Sequence, residues 1–177
     1  SFLPAIALLK KHLDVYEVEA GIDYRLRALE QVEIYHYPAD AAAEAKMRDY
    51  FRVVAGDEGQ EGCQISVLDR DIPAVRRANG VIWFDFRTLC GGPRSQNDYL
   101  EISRAYHTVL LSGIPRLTQH QASEARRLTW LVDVFYDNKV KLIATAECAA
   151  EDLYTEGTQA TEFKRTVSRL TEMNSRA

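Results

Sequence analysis

Apolar residues recur along this chain with two periods, and the switches between them lay out its elements. Leu3, Ile6, Leu8 and Leu9, with Pro4 in a first turn, predict a short helix over Leu3–His12. Val15 and Val18 among polar neighbours predict a strand over Asp14–Glu19, and Gly21 a turn. Asp23–Arg27 then begins a short irregular or helical piece. Val32, Ile34 and His36 alternate with Glu33, Tyr35 and Tyr37, the period of a strand, which Pro38 stops. Ala39–Val54 changes to helical spacing through Met47, Tyr50, Phe51 and Val54, with Asp40 near its start and Gly56 just past its end. The polar run Gly56–Gly62 reads as a flexible loop and as the best boundary within the chain.

Downstream, Gln64–Leu68 and Asp71–Val75 flank Asp69-Arg70 and predict a hairpin. Ala78-Asn79-Gly80 is a second turn, and Val81–Phe86 a third, densely apolar strand that runs on into Gly91-Gly92-Pro93. Ser95 and Asp98 have the spacing of a helix-opening capping pair, with Tyr99, Ile102 and Tyr106 on one face behind it. Thr108–Ile114 is apolar and strand-like. Thr118 and Gln121 repeat the capping spacing before Leu128, Leu131, Val132 and Phe135, which stand at i, i+3, i+4 and i+7. Lys139–Ala146 returns as a strand, and Thr161–Met173 closes with Phe163, Val167 and Leu170 on one face. Strand, helix, strand over residues 108–146 reads as a right-handed parallel crossover. In such sheets ligands gather beyond the strand C-termini, here Ser112-Gly113 and Thr145-Ala146-Glu147. The fold class is therefore α/β: small antiparallel strands plus a βαβ unit in a mixed sheet flanked by helices.

Composition narrows the function only by exclusion. The 177 residues are enough for one domain or two small ones. A net charge of −4 gives no footprint for wholesale nucleic-acid binding. The basic pairs Arg76-Arg77 and Arg126-Arg127 fit solvated surface. Cys63, Cys90 and Cys148 are isolated and odd in number, which suits reduced thiols in a cytosol-like compartment rather than zinc. No run is long and apolar enough for a membrane span, and no signal peptide is visible. A start at Ser1 without Met suggests a piece of a longer protein, or a processed one.

Chemistry-bearing motifs are sparse. There is no GxxxxGK followed by Ser or Thr, and no GxGxxG after a strand. Gly92, Arg94 and Ser95 precede a helix and could hold an anion with backbone amides and a guanidinium; a plain turn fits the same residues. Arg94 and Asp98, four apart, read as a surface helix pair. Glu124, Arg126 and Arg127 open a helix past a strand end, where an Arg fork can reach phosphate or make ordinary salt bridges. The four histidines show no metal-ligand spacing, and His107 at a strand start reads as a satisfied structural residue. No metal site or catalytic constellation can be assembled.

A set of short motifs, weak singly and specific in their order, goes further. They include Phe2-Leu3-Pro4-Ala5-Ile6 and Gly21-Ile22-Asp23-Tyr24-Arg25-Leu26-Arg27, then Leu89-Cys90, Arg94-Ser95-Gln96, Asp98-Tyr99 and His107-Thr108-Val109. Ser123-Glu124-Ala125-Arg126-Arg127, Leu131-Val132-Asp133, Val140-Lys141-Leu142 and Ser168-Arg169-Leu170-Thr171-Glu172-Met173 continue the series. Together they resemble the C-terminal half of the ZapE family of AAA+ P-loop ATPases, which includes the Afg-type and lactation-elevated proteins.

The resemblance implies ATP and Mg²⁺ as cofactors. It places the P-loop lysine, the Walker B acids and the sensor-1 Asn upstream of the segment that matches this chain. Residues 1–55 would then be the end of the AAA+ core with a lid-like segment, and 63–177 a family-specific C-terminal α/β domain. Asp23, Tyr24 and Arg25, then Arg126 and Arg127, become candidates to face nucleotide directly or across a subunit boundary. No residue of this chain is assigned as catalytic, and alone it is expected not to hydrolyse ATP, because phosphoryl transfer rests on a metal and phosphate cradle. Thr108–Gly157 also echoes the family's Walker B to sensor 1 segment, with Ser112-Gly113 where the acids would stand. Expected partners are other subunits of a homo-oligomer and a cell-division GTPase, without nucleic acid or membrane insertion. The alternative is a non-catalytic protein-binding module. The expected compartment is the bacterial cytoplasm, with the mitochondrial matrix as the alternative.

Overall fold

Period-two alternation divides the central strands between two cores. The computed structural model describes residues 33–175. The expected elements over Leu3–His12 and Asp14–Glu19, and the candidates Asp23, Tyr24 and Arg25, lie outside the described residues. Within them, β1 (Tyr35–His36), β2 (Gln60–Val67), β3 (Arg70–Ala78), β4 (Val81–Asp85), β5 (Thr108–Ile114) and β6 (Lys141–Ala146) form one mixed sheet of order β1-β6-β5-β4-β3-β2. Pairing is parallel from β1 through β6 and β5 to β4, then antiparallel across β3 and β2. In the middle strands Val81, Trp83, Leu110 and Ile143 point to one face, and Ile82, Phe84, Val109, Leu111 and Leu142 to the other. Both faces are covered, as parallel strands require.

One helix, α1 (Ala41–Ala55), covers the first face with Met47, Phe51 and Val54. It begins where the Asp40 carboxylate accepts from the Ala43 N–H at 2.8 Å and ends at Gly56 with φ 68°. The second face carries α2 (Phe86–Cys90), α3 (Gln96–Ala105), α4 (Ala122–Asp137) and α5 (Ala160–Ser175). Helix α5 is tied to α4 by an Arg169–Asp133 ion pair and a 2.8 Å bond from the Tyr136 hydroxyl to Glu172.

The expected α/β class and the parallel β5-α4-β6 crossover are present, with local corrections. The strand expected over Val32–Tyr37 contracts to Tyr35–His36, an edge pair on β6. The loop expected over Gly56–Gly62 is shorter, because β2 already starts at Gln60 and pairs with Arg77. The hairpin turns on Leu68-Asp69, with φ 48° and 62°, one residue earlier than expected. β4 stops at Asp85, whose carboxylate accepts from the Arg87 N–H at 3.0 Å and opens α2, a helix of 5 residues too short to leave a periodic signal. Arg76 is not simply solvated: it donates to the Glu58 carbonyl at 2.5 Å and lies over the Phe51 ring.

The Asn79-Gly80 turn shows how tightly the sheet is closed. Gly80 sits at φ 79°, and the His107 and Thr108 amides both donate to its carbonyl, at 2.9 and 3.4 Å. A Cβ on Gly80 would lie 2.6 Å from His107 Cδ2. His107 is satisfied there by Thr108 Oγ1 at 2.8 Å and the Asn79 carbonyl at 3.2 Å. Gly80→Ala is therefore expected to destabilise the fold by more than about 1 kcal/mol, from positive φ and the clash combined. Urea unfolding of the variant beside the parent measures this.

Candidate functional site

The short helix α2 gathers the arginines. Its last carbonyls have no partner within so short a helix, and its C-terminal end is electronegative. Arg94 donates from Nε and one terminal nitrogen to the Thr88 carbonyl at 3.3 and 3.2 Å. Arg127 donates to the Cys90 carbonyl at 3.0 Å, and the Tyr99 hydroxyl to the Leu89 carbonyl at 2.8 Å. Arg70, arriving from the hairpin, donates to the Pro93 carbonyl at 3.0 Å and to Asp98. The carbonyl partners of Arg94 and Arg127 fix those guanidinium groups without neutralising them.

Asp98 is the counter-charge to this cluster and lies wholly inside. Its carboxylate accepts from the Ser95 N–H at 2.7 Å, from the Ser95 hydroxyl at 3.3 Å and from Arg70. Burial by itself would raise its pKa; the Ser95 N–H and the Arg70 guanidinium outweigh it and hold the carboxyl below the usual range. The expected Arg94–Asp98 surface pair is thus replaced. Asp98 turns inward to Arg70, and Arg94 turns to Thr88. Burial pushes the neighbouring Cys90 thiol up to about 12, so it stays a neutral thiol. All three cysteines are free and buried.

These side chains border an open cleft of about 420 Å³. Arg70, Pro93, Arg94 and Ser95 form one wall, and Ser123, Arg126, Arg127 and Trp130 of α4 the other. Two separately expected groups, Arg94 with Ser95 and Arg126 with Arg127, therefore meet in one place. Gly92 does not line the cleft. Arg126 is exposed, and its side chain makes no hydrogen bond or ion pair among the described residues. Sequence reasoning missed Arg70, Ser123 and Trp130. For Ser123 and Trp130 a signal existed: residues 123, 126, 127 and 130 stand at i, i+3, i+4 and i+7, a polar stripe on α4 beside its apolar one.

The place expected from topology has the opposite character. Beyond the ends of β4, β5 and β6 is a cavity of about 220 Å³ bordered by Asp40, Glu44, Asp85, Ser112, Gly113 and Thr145. Thr145 Oγ1 accepts from the Gly113 N–H at 3.0 Å, and the Ser112 hydroxyl accepts from the Trp83 indole N–H at 3.0 Å. Its charged groups are carboxylates, which disfavour an anion there. No group of three His, Cys, Asp or Glu among the described residues could hold a metal ion. No helix among them is long and apolar enough to cross a membrane.

An α/β domain with an arginine-lined cleft defines a class; comparison with known proteins supplies the family. The model of the AFG1-like ATPase family matches residues 1–177, and the chain belongs to that family. It is 39% identical over 174 residues to the cell division protein ZapE of Escherichia coli, an alignment covering 98% of this chain and 46% of that protein. It is 29% identical over 168 residues to lactation elevated protein 1 homolog B of Danio rerio, covering 93% of this chain and 33% of the relative. The chain thus spans less than half the length of these relatives. No solved structure matches it.

Replacing Asp98 by Asn removes the charge that Arg70 and the Ser95 amide share. A loss of about 1–3 kcal/mol at neutral pH is expected. Because the folded-state pKa lies below the unfolded one, the carboxylate's contribution is complete above about pH 4 and is lost as pH falls through the folded value. Urea unfolding followed from neutral pH into acid should show the Asp98→Asn difference shrinking below about pH 4.

Proposed function

We propose that this chain is the C-terminal region of an AFG1-like ATPase acting in bacterial cell division. ATP and Mg²⁺ are held mainly by residues of the longer protein outside this sequence. The observation that carries the reading is the family match over the whole chain, with 39% identity to a cell division protein. The arginine cleft supports the reading, because its guanidinium groups offer charge stabilisation to phosphates. Arg126 and Arg127, with Asp23, Tyr24 and Arg25, are this chain's candidates to face nucleotide. Its expected setting is a homo-oligomer in the cytoplasm, in contact with a cell-division GTPase.

The test is hydrolysis measured on two samples. The longer protein should release phosphate from ATP only with Mg²⁺, and the 177-residue chain should release none. A longer protein with no turnover under those conditions would refute the reading.

A further inference from the structure

The cleft arginines lack what several others in this chain have. Arg48, Arg52, Arg76, Arg104 and Arg169 are each paired with a carboxylate of the chain itself: Glu44, Glu58, Glu61, Glu101 and Asp133. In the cleft only Arg70 has such a partner, the buried Asp98. Arg94 and Arg127 are held by backbone carbonyls, and the Arg126 side chain makes no hydrogen bond or ion pair among the described residues. Three guanidinium groups thus line one open cleft without a counter-charge, in a chain whose net charge is −4. The acids nearest to them and to Arg70 in sequence, Asp69, Asp71 and Glu124, do not border the cleft.

Holding like charges together has an electrostatic cost, which a bound anion relieves. The lining says which anion. All four cations are arginines, with no Lys among them. A planar guanidinium takes a planar carboxylate through two parallel hydrogen bonds, and this is the pairing the other arginines of the chain already have. The cations are carried by three segments: the β2–β3 hairpin, the loop before α3, and α4. Carboxylates borne along a polypeptide can meet all three. Arg94 and Arg127 are already positioned, so little side-chain freedom is lost on contact.

The hairpin turn beside the cleft adds an apolar contact. Leu68 is half exposed and, like Asp69, sits at positive φ, in a turn that Asn and Gly fill without strain. Leu68 stands two residues from Arg70. Pro93, also exposed, borders the cleft itself. Strain kept at an exposed apolar side chain points to a contact made there, and a protein chain can make it where a small anion cannot.

We propose that the cleft binds an acidic segment of a partner protein, with its carboxylates on Arg94, Arg126 and Arg127 and a neighbouring apolar side chain on Leu68. The inference goes beyond the reading above. Arg126 and Arg127, candidates there for nucleotide, serve one anion at a time, so the test sets the two against each other.

The 177-residue chain is titrated into a fluorescein-labelled peptide of Glu and Leu, followed by anisotropy, with the same peptide carrying Gln in place of Glu as control. The acidic peptide should bind saturably, with affinity falling as salt is added, and the Gln peptide should not bind. Arg126→Glu, at an exposed position, should weaken binding at least about tenfold with an unchanged circular dichroism spectrum, while Arg104→Glu, exposed on α3, should change it less than about twofold. Leu68→Asn should weaken it at least about threefold. Absence of saturable binding overturns the proposal, as do equal losses from Arg126→Glu and Arg104→Glu or full affinity in Leu68→Asn. If ATP or inorganic phosphate displaces the label more tightly than unlabelled peptide does, the cleft is a phosphate site and the proposal falls. If the chain associates with itself and Arg126→Glu abolishes this, the occupant is a second copy and the proposal falls too. Turnover by the longer protein, which decides the reading above, is a separate measurement.

Discussion

One buried carboxylate holds the arginine face of the molecule together. Asp98 closes the first turn of α3 through the Ser95 amide and, with the same group, takes the Arg70 guanidinium brought in by the β2–β3 hairpin. A carboxylate fully removed from water is tolerable only when charged donors satisfy it, and here they do. Arg70 is thereby anchored beside Pro93, and the hairpin is fixed against the loop that follows α2. With its carboxylate turned inward, Asp98 leaves Arg94 free to cap α2 rather than be neutralised.

The remaining cations follow from α2. A helix of five residues cannot satisfy its own last carbonyls, and three of them are taken by Arg94, Tyr99 and Arg127. Structural demand thus collects positive charge in the segments that follow β4 and β5, on the face that carries α3 and α4. The cavity at the strand ends carries Asp40, Glu44 and Asp85 instead.

How much of this was legible depends on the range of the interaction. Helix α1, with sustained periodicity and marked ends, was readable to within two residues, and so was the Asn79-Gly80 turn; for α4 the apolar spacing was readable, but the capping spacing at Thr118 stands three residues before its observed N-cap, Gln121. Helix α2 was not, because one turn shows no period. Nor was the burial of Asp98: its spacing from Ser95 announced the cap, but its ion partner, Arg70, lies 28 residues away at the start of β3. The cleft was half legible. Arg94 with Ser95 and Arg126 with Arg127 were singled out separately, while their meeting depends on how α3 and α4 pack. Family membership came from motif order along the chain, a signal that neither periodicity nor composition contains.

The most direct measurement of the central claim is the NMR spectrum of the arginine Nε–H groups in the Asp98→Asn variant beside the parent. The account predicts that Arg70 and Arg94 shift, while Arg48 and Arg104, exposed on other surfaces, stay in place. Unmoved signals from Arg70 and Arg94, or shifts spread evenly over all exposed arginines, would contradict it.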